Sequence, residues 1–240
     1  MADILIVIPT YDEKDNIEKL IGEIFKYAPG AEALIVDDNS PDGTGDIADR
    51  IASADKRVSV IHRMRDKGRG AAGAEGFKAA VKREGVSYIM EMDADFSHDP
   101  KHIPDFLKEI THNDIVIGSR FVKGGADTER DFLRRLLSKV VNFLIRSYLG
   151  LGVRDCSSGY RCFKKEVIAQ LNLDSLISKG PAILEETLYI AHLKKYKIKE
   201  IPILFKNRYK NKTKLNFIKL LKVGADMVAF KKIYSPENIK

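Results

Sequence analysis

Two carboxylates one residue apart, Asp93 and Asp95 in the segment YIMEMDADFSHDP at residues 88–100, are the side chains of this chain best suited to hold a hard divalent cation. Like charges held that close repel, and the pair persists most easily when a divalent ion or a cationic ligand lies between them. An isolated Asp-x-Asp is also what a solvated acidic turn looks like, so the neighbouring motifs must decide. A second acidic run, Asp37 to Thr44 (DDNSPDGT), follows another apolar segment. Glycines at Gly68 and Gly70 allow a backbone to approach a phosphate at a helix N-terminus, and they equally suit a tight strand-to-helix loop. Late in the chain Lys206, Arg208, Lys210, Lys212 and Lys214 alternate through KNRYKNKTK, which sets several cations on one side of an extended segment. Such a row suits phosphate oxygens or anionic lipid head groups.

These groups need a frame, and the first half of the chain spells one. The run Ile4 to Ile8 is continuously apolar and β-branched, as in a strand buried on both faces of a parallel sheet. Asp12 or Asp15 is placed to cap a helix over Ile17, Leu20, Ile21 and Ile24, which Pro29 and Gly30 end. Strands are expected at 33–36, 58–61, 88–92 and 114–118, with helices through Ile47 and Ile51 and through Phe77, Ala80 and Val81. This alternation predicts an α/β fold with a right-handed, mostly parallel sheet and helices on both faces. Ligands of such sheets bind beyond the carboxyl ends of the strands. The reading collects Pro9, Thr10, Tyr11, Asp37, Asp38, Gly68, Gly70, Asp93, Asp95, Ser119 and Arg120 there. If 88–92 is a strand, alternation points Asp93 and Asp95 the same way from its edge.

The second half loses the strict alternation. Residues 131–149 read as an amphipathic helix, packed on the sheet or lying in a membrane interface. Residues 159–163 read as part of a polar turn, 165–171 as a helix, and 198–205 as the last strand. Glu185 and Glu186 fall on a helix, where acidic pairs are usually solvated. His98 and His102 read as turn and surface residues. We expect one domain over residues 1–215 and a basic amphipathic segment over 216–240 as a possible interface helix.

Charge divides the chain in the same place. Residues 1–120 hold 16 Lys plus Arg against 23 Asp plus Glu, a net of −7, and residues 121–240 hold 25 against 11, a net of +14. An acidic half suits a metal, and a basic half suits phosphates or an anionic membrane surface. Nucleic acid is not the expected partner, since no zinc-finger, basic-zipper or RNA-binding signature is present. Two cysteines, no secretory signal ahead of the first strand and no uncharged run near the roughly 18 residues that span a bilayer point to a reducing, cytosolic setting at the membrane periphery.

Taken together, IVIPTYDEKDNI, VDDNSPDGT, MDADFSHDP, GSRFVKGG, SSGYRCFKKEVI and RYKNKTKL resemble, in order and spacing, the family 2 inverting glycosyltransferases of the GT-A fold. Within that family they are most similar to the branch that mannosylates dolichyl (polyprenyl) phosphate. The resemblance covers the chain to about Leu215. It implies that Pro9, Thr10, Tyr11, Glu13, Asp37 and Asp42 line a nucleotide-sugar site with Asp93 and Asp95. It further implies that Asp93 and Asp95 hold Mg²⁺ or Mn²⁺ on the donor diphosphate. Arg120, Arg134, Ser138, Arg208 and Lys214 match positions that grip the acceptor phosphate and the diphosphate, with Arg120 and Arg208 acting in catalysis. The family often has Gln where Ser97 stands, and its late Arg-x-x-Gly-x-Ser-Lys appears here with Asn211 for Gly and Thr213 for Ser.

The implied activity is transfer of mannose from GDP-mannose to dolichyl or polyprenyl phosphate, with inversion and a divalent metal. A lipid monophosphate is already largely ionised near neutral pH, so the reaction needs no strong general base. Use of UDP-glucose is the alternative donor chemistry. A non-catalytic nucleotide-sugar or membrane-binding protein would not need the Asp93 and Asp95 pair. A sugar nucleotidyltransferase would show a glycine-rich loop after the first strand, where PTYDEKDN has none. Access to the lipid would come through helices 131–149 and 216–230 or a separate membrane-anchoring subunit.

Overall fold

The computed structural model describes residues 3–65, 67–129, 131–178, 180–206 and 217–234. In chain order these form β1 (Ile4–Thr10), α1 (Ile17–Tyr27), β2 (Glu32–Asp37), α2 (Thr44–Ala54), β3 (Val58–His62), α3 (Arg69–Lys82) and β4 (Tyr88–Glu91). A 3-10 turn at Pro100–His102 leads into α4 (Ile103–Ile110), β5 (Ile115–Ser119), β6 (Ala126–Asp127) and α5 (Phe132–Leu149). The rest comprises β7 (Arg161–Lys164), α6 (Lys165–Gln170), α7 (Ile183–Leu193), β8 (Ile198–Pro202), β9 (Leu204–Phe205) and α8 (Phe217–Ile233).

Seven strands form one sheet in the order β3-β2-β1-β4-β7-β5-β8, and β6 and β9 pair separately. Every pairing in the large sheet is parallel except those of β7, which runs antiparallel between β4 and β5. The apolar run of β1 explains its central place. Ile4, Ile6 and Ile8 enter the core on one face with Ile17, Leu20 and Ile24 of α1, while Leu5 and Val7 enter the core on the other with Phe77 and Ala80 of α3. Gly76 lets α3 lie against the sheet, because a Cβ there would collide with Val7 Cγ1.

This strand order locates the site. From β1 the chain crosses outward to β2 and β3, then returns to place β4 on the other side of β1. The carboxyl ends of β1 and β4 are therefore neighbours at the point where the order reverses, and there the loops diverge and leave a crevice. Pro9 to Glu13 leave one of those ends, and Asp93 and Asp95 leave the other.

Several expectations are corrected. Residues 159–163 are not simply a turn: Arg161 to Phe163 pair with both neighbours as β7. The last expected strand is two, with Ile203 interrupting it so that β9 can leave the large sheet for β6. Neither Asp12 nor Asp15 caps α1; Asn16 stands at its N-cap without a side-chain cap bond, and Asp15 lines the cavity described below. Helix 131–149 forms as expected, with Asp131 accepting from the backbone N–H of Arg134 at its N-terminus. It does not pack its apolar side on the sheet. Only Asn142, Ile145 and Leu149 are buried, whereas Phe132, Leu133, Leu136, Leu137, Val140, Phe143 and Leu144 are exposed. In α8, Met227 and Phe230 are buried in the core. Among the described residues no helix is long and apolar enough to cross a membrane.

Candidate active site

A cavity of about 680 Å³ opens beyond the carboxyl ends of β1 and β4. Pro9, Thr10, Tyr11 and Glu13 line it from β1 and its loop, Lys19 from α1, and Asp93 and Asp95 from the end of β4, with Asp38 and Arg69 on the remaining wall. Its size is that of a small-ligand pocket. Six of the expected nucleotide-site residues thus share one cavity.

Asp37 and Asp42, also expected there, do not line it; they shape it. Thr10 Oγ1 donates to Asp37 Oδ1 at 3.1 Å and the Ser40 amide donates to Oδ2 at 3.0 Å, tying the end of β1 to the end of β2. Asp42 accepts from Thr44 Oγ1 at 2.6 Å and from the Lys14 amide at 3.1 Å, and Thr44 Oγ1 accepts from the Glu13 amide at 2.9 Å. Burial alone would raise the Asp42 pKa, but the bonds from Thr44 and Lys14 outweigh it and hold the carboxyl below its ordinary value. Asp38 pairs with Arg63 and accepts from the Gly68 amide at 2.6 Å, fixing the loop ahead of α3 against the cavity.

Strand β4 ends at Glu91, so Asp93 and Asp95 sit in the bends after it rather than on the strand. Both still reach the cavity wall, because His98 and Ser97 fold the turn back. His98 Nδ1 accepts from the Asp93 amide at 2.9 Å, and Asp95 Oδ1 accepts from the Ser97 amide at 3.0 Å. His98 is no surface residue. Its ring is 2% exposed and stacks on Tyr160 with centroids 4.9 Å apart. Burial lowers its pKa against the opposing pull of Asp93 and Asp95, which favours the neutral ring that accepts this bond.

The donor set of this turn fits a hard cation. Asp93 and Asp95 present carboxylate oxygens to one cavity, and Ser97 Oγ is buried without a hydrogen-bond partner among the described residues. No group of three or more His, Cys, Asp or Glu side chains there could hold a metal alone. That is the arrangement of an ion shared between one or two carboxylates and the phosphates of a ligand.

Sequence reasoning passed over Arg69, whose only signal was its place between Gly68 and Gly70. Its Nε donates to Asp93 Oδ1 at 2.8 Å, and Nη1 lies 3.5 Å from Glu91 Oε1. Glu91 lies on β4 as the apolar run predicts, and its carboxylate is buried beside the cavity wall. Burial raises its pKa, and Arg69 and Arg161 oppose that rise.

Of the expected acceptor residues, Arg120, Arg134 and Ser138 lie outside the cavity lining. Arg120 is 8% exposed and spends its Nε and Nη2 on Asp155, at 2.8 and 2.7 Å, with Nη2 also donating to Ser157 Oγ at 2.9 Å. Arg134 pairs with Asp131 across the first turn of α5, and Ser138 lies one turn further, its carbonyl accepting from Asn142 Nδ2 at 3.0 Å. Asn142 also donates to Ser157 Oγ at 3.0 Å, linking α5 to the Arg120 and Asp155 pair. Arg208 and Lys214 lie outside the described residues.

Both members of the acidic pair on α7 are buried, against expectation. Glu186 accepts from the amides of Ile177 and Ser178 at 2.8 Å each, which holds a loop. Glu185 carries a buried Oε2 without a hydrogen-bond partner among the described residues, and burial, opposed by Arg161, pushes its pKa up to about 7. Arg161 is fully buried and donates to the carbonyls of Ser158, Cys156 and Leu184 at 2.7, 2.6 and 2.6 Å.

Comparison with known proteins bears on the family and the fold. The family described as Glycosyl transferase family 2 matches residues 5–171. The chain is 39% identical over 206 residues to the polyprenol monophosphomannose synthase of Mycolicibacterium smegmatis, covering 85% of this chain and 77% of that one. It is 37% identical over 214 residues to the undecaprenyl-phosphate mannosyltransferase of Micrococcus luteus, covering 89% and 87%. Among solved structures, glucosyl-3-phosphoglycerate synthase from Mycobacterium tuberculosis, in complex with Mn²⁺, UDP-glucose and phosphoglyceric acid, has a TM-score of 0.70 at 18% identity, covering 97% of this chain and 80% of that one. At that identity the likeness bears on the fold.

Proposed function

Because the chain belongs to glycosyl transferase family 2, we propose that it transfers mannose from GDP-mannose to a polyprenyl phosphate with inversion, using a divalent ion. The observation that carries this reading is the single cavity in which the polar end of β1 meets Asp93 and Asp95. The names of the two relatives, a polyprenol monophosphomannose synthase and an undecaprenyl-phosphate mannosyltransferase, support the sugar and the lipid phosphate. A solved structure of the same fold holding Mn²⁺ with a nucleotide sugar supports the ion.

In this reading Pro9, Thr10, Tyr11 and Glu13 take the nucleotide, on a loop that Asp37 and Asp42 hold in place. Asp93 and Asp95 would hold Mg²⁺ or Mn²⁺, which would supply positive charge where the leaving diphosphate gains negative charge. An acceptor phosphate oxygen forms the new bond to the anomeric carbon as the bond to the donor diphosphate breaks, and the electron pair leaves with the nucleoside diphosphate. The acceptor brings its own negative charge, so the protein's task is to align two anions. Arg120, Arg134 and Ser138, with Arg208 and Lys214 of the basic segment, are the groups proposed to steer the acceptor.

The exposed face of α5 supports a membrane-peripheral enzyme. Phe132, Leu133, Phe143 and Leu144 are 60 to 74% exposed on a helix that also carries Arg134, Arg135, Lys139 and Arg146. A helix of that composition lies in an anionic interface with its apolar face among acyl chains. The test is an assay of purified protein with a polyprenyl phosphate and Mn²⁺, offering radiolabelled GDP-mannose or UDP-glucose. Polyprenyl-phosphate mannose from the first donor is the expected product. Label transferred only from UDP-glucose, or from neither, would overturn the reading.

A further inference from the structure

Arg69 begins α3 with its guanidinium between two acidic side chains that follow each other along β4 and its exit. Nε donates to Asp93 Oδ1 at 2.8 Å, Nη2 lies 2.7 Å from the same oxygen, and Nη1 is 3.5 Å from Glu91 Oε1. The bond from Nε is the well-formed one. Nη1 and Nη2 are buried and donate no hydrogen bond among the described residues. Arg69 lines a cavity of nucleotide size, but its Nη1 and Nη2 face Glu91 and Asp93 behind that wall, so these N–H groups have to turn outward to meet the oxygens of an anion.

The surrounding chain is shaped to hold that guanidinium. A Cβ at Gly159 would collide with Arg69 Nη2, and a Cβ at Gly73 would fall 2.6 Å from Glu91 Oε1. Burial alone would lower the arginine's pKa, but Asp93 and Glu91 outweigh it and raise it, so the group keeps its charge. Arg69 therefore answers the same electrostatic need at Asp93 that a divalent ion would answer. The two cations must share one carboxylate, and each lowers what the other gains from it.

We propose that Arg69 is a donor-binding residue that couples the metal to the nucleotide: it holds Asp93 until a divalent ion arrives with the donor, and then turns its outer N–H groups to the diphosphate. The inference rests on the reading that Asp93 and Asp95 hold the ion. It makes the ion alone a weak ligand and the nucleoside diphosphate its necessary companion, since the diphosphate gives Arg69 a second anion to face.

Binding of Mn²⁺ itself tests this, measured by electron paramagnetic resonance of the free ion with and without GDP. In Arg69→Leu, and in Arg69→Leu with Glu91→Gln so that no buried carboxylate is left uncompensated, Mn²⁺ alone should bind about tenfold tighter or more, within the range over which groups behind metal ligands shift affinity. The gain in Mn²⁺ affinity on adding GDP should shrink by a similar factor. Gly159→Ala keeps every charge and crowds Arg69 away from Asp93, so it should also strengthen binding of the ion alone. Mn²⁺ affinity equal to or weaker than that of the unmodified protein, in variants whose circular dichroism is unchanged, would overturn the proposal and return Arg69 to a purely structural ion pair. The underlying reading fails separately: if the unmodified protein binds no Mn²⁺, or Asp95→Asn binds it equally well, the metal assignment falls and this inference falls with it.

Discussion

Replacing Asp155 by Asn should unlock Arg120, the buried cation proposed to steer the acceptor. Asp155 Oδ2 accepts from the Arg120 amide at 3.0 Å and from its Nε at 2.8 Å, while Oδ1 accepts from Nη2 at 2.7 Å. The two side chains are 0% and 7% exposed, so water cannot replace a lost partner. Asn keeps the shape but turns an NH₂ toward an arginine that has only donors, leaving the guanidinium buried without its counter-charge. Removing one partner of a buried pair costs about 3–5 kcal/mol. In a chain of this size that lowers the melting temperature by roughly 6–20 °C. Arg120→Met should be damaging as well, and the double variant should be less destabilised than the two single losses added, by about 2 kcal/mol. Thermal melts of the four proteins close this cycle, and assays on the surviving fold should show the KM for polyprenyl phosphate raised more than the KM for GDP-mannose. A melt for Asp155→Asn within about 2 °C of the unmodified protein, or strictly additive losses, would refute the claim that this pair holds Arg120 in place.

Two further outcomes follow from other parts of the molecule. The Glu185 carboxyl has its pKa raised from the ordinary 4.5 to about 7, so the folded protein binds that proton more tightly than the unfolded chain does. Its contribution is complete below about pH 4.5 and is lost as pH rises through about 7, amounting to on the order of 3 kcal/mol. Glu185→Gln should therefore flatten the urea-midpoint profile across that window, and an unchanged slope between about pH 5 and 7.5 would count against it. On the exposed face of α5, Phe143→Asp combined with Leu144→Asp should alter stability by only about 0.5 kcal/mol and weaken sedimentation with anionic vesicles by about tenfold or more. Vesicle binding equal to that of the unmodified protein would remove α5 from the membrane contact.

The sequence was most legible where one physical requirement dominates. Strand β1 had to be central because five consecutive apolar residues need a core on both sides, and they find one. Asp93 and Asp95 were legible in company, because an Asp-x-Asp alone also describes a solvated acidic turn and the motifs around it decided between the two. What escaped notice was decided by tertiary pairing. Arg161 lies in a segment whose glycine and serines read as a turn, yet β4 and β5 recruit it as a strand between them. Glu185 and Glu186 look like any solvated helical pair until the burial of α7 removes the water. Arg69 was hidden by its own glycines, which drew the eye to the backbone while the side chain held the carboxylate. The apolar side of α5 was equally open to packing or to a membrane, since amphipathicity states that a face needs covering and not by what.

The position of β7 shows how the basic half of the chain is joined to the acidic half beside the cavity. This short strand comes from the basic half and inserts between β4 and β5 of the acidic half, pairing Arg161 with Glu91 on one side and with Ile117 on the other. The loop that delivers it carries Asp155 to Arg120 and Gly159 to Arg69. Arg161 then pins that loop by bonding to the carbonyls of Cys156 and Ser158. The turn that sets the acceptor-side arginine is thus continuous with the one that shapes the space around Arg69. Only Ser158 separates Gly159, the neighbour of Arg69, from Ser157, whose Oγ accepts from Asn142 of α5. Asn142 of α5 and Arg120 both donate to Ser157 Oγ, so this loop joins α5 to Arg120 while its Gly159 lies against Arg69. In the proposed reaction two anions that repel one another have to be brought into line, and one buried loop lying against both Arg120 and Arg69 ties those two cations to a common frame.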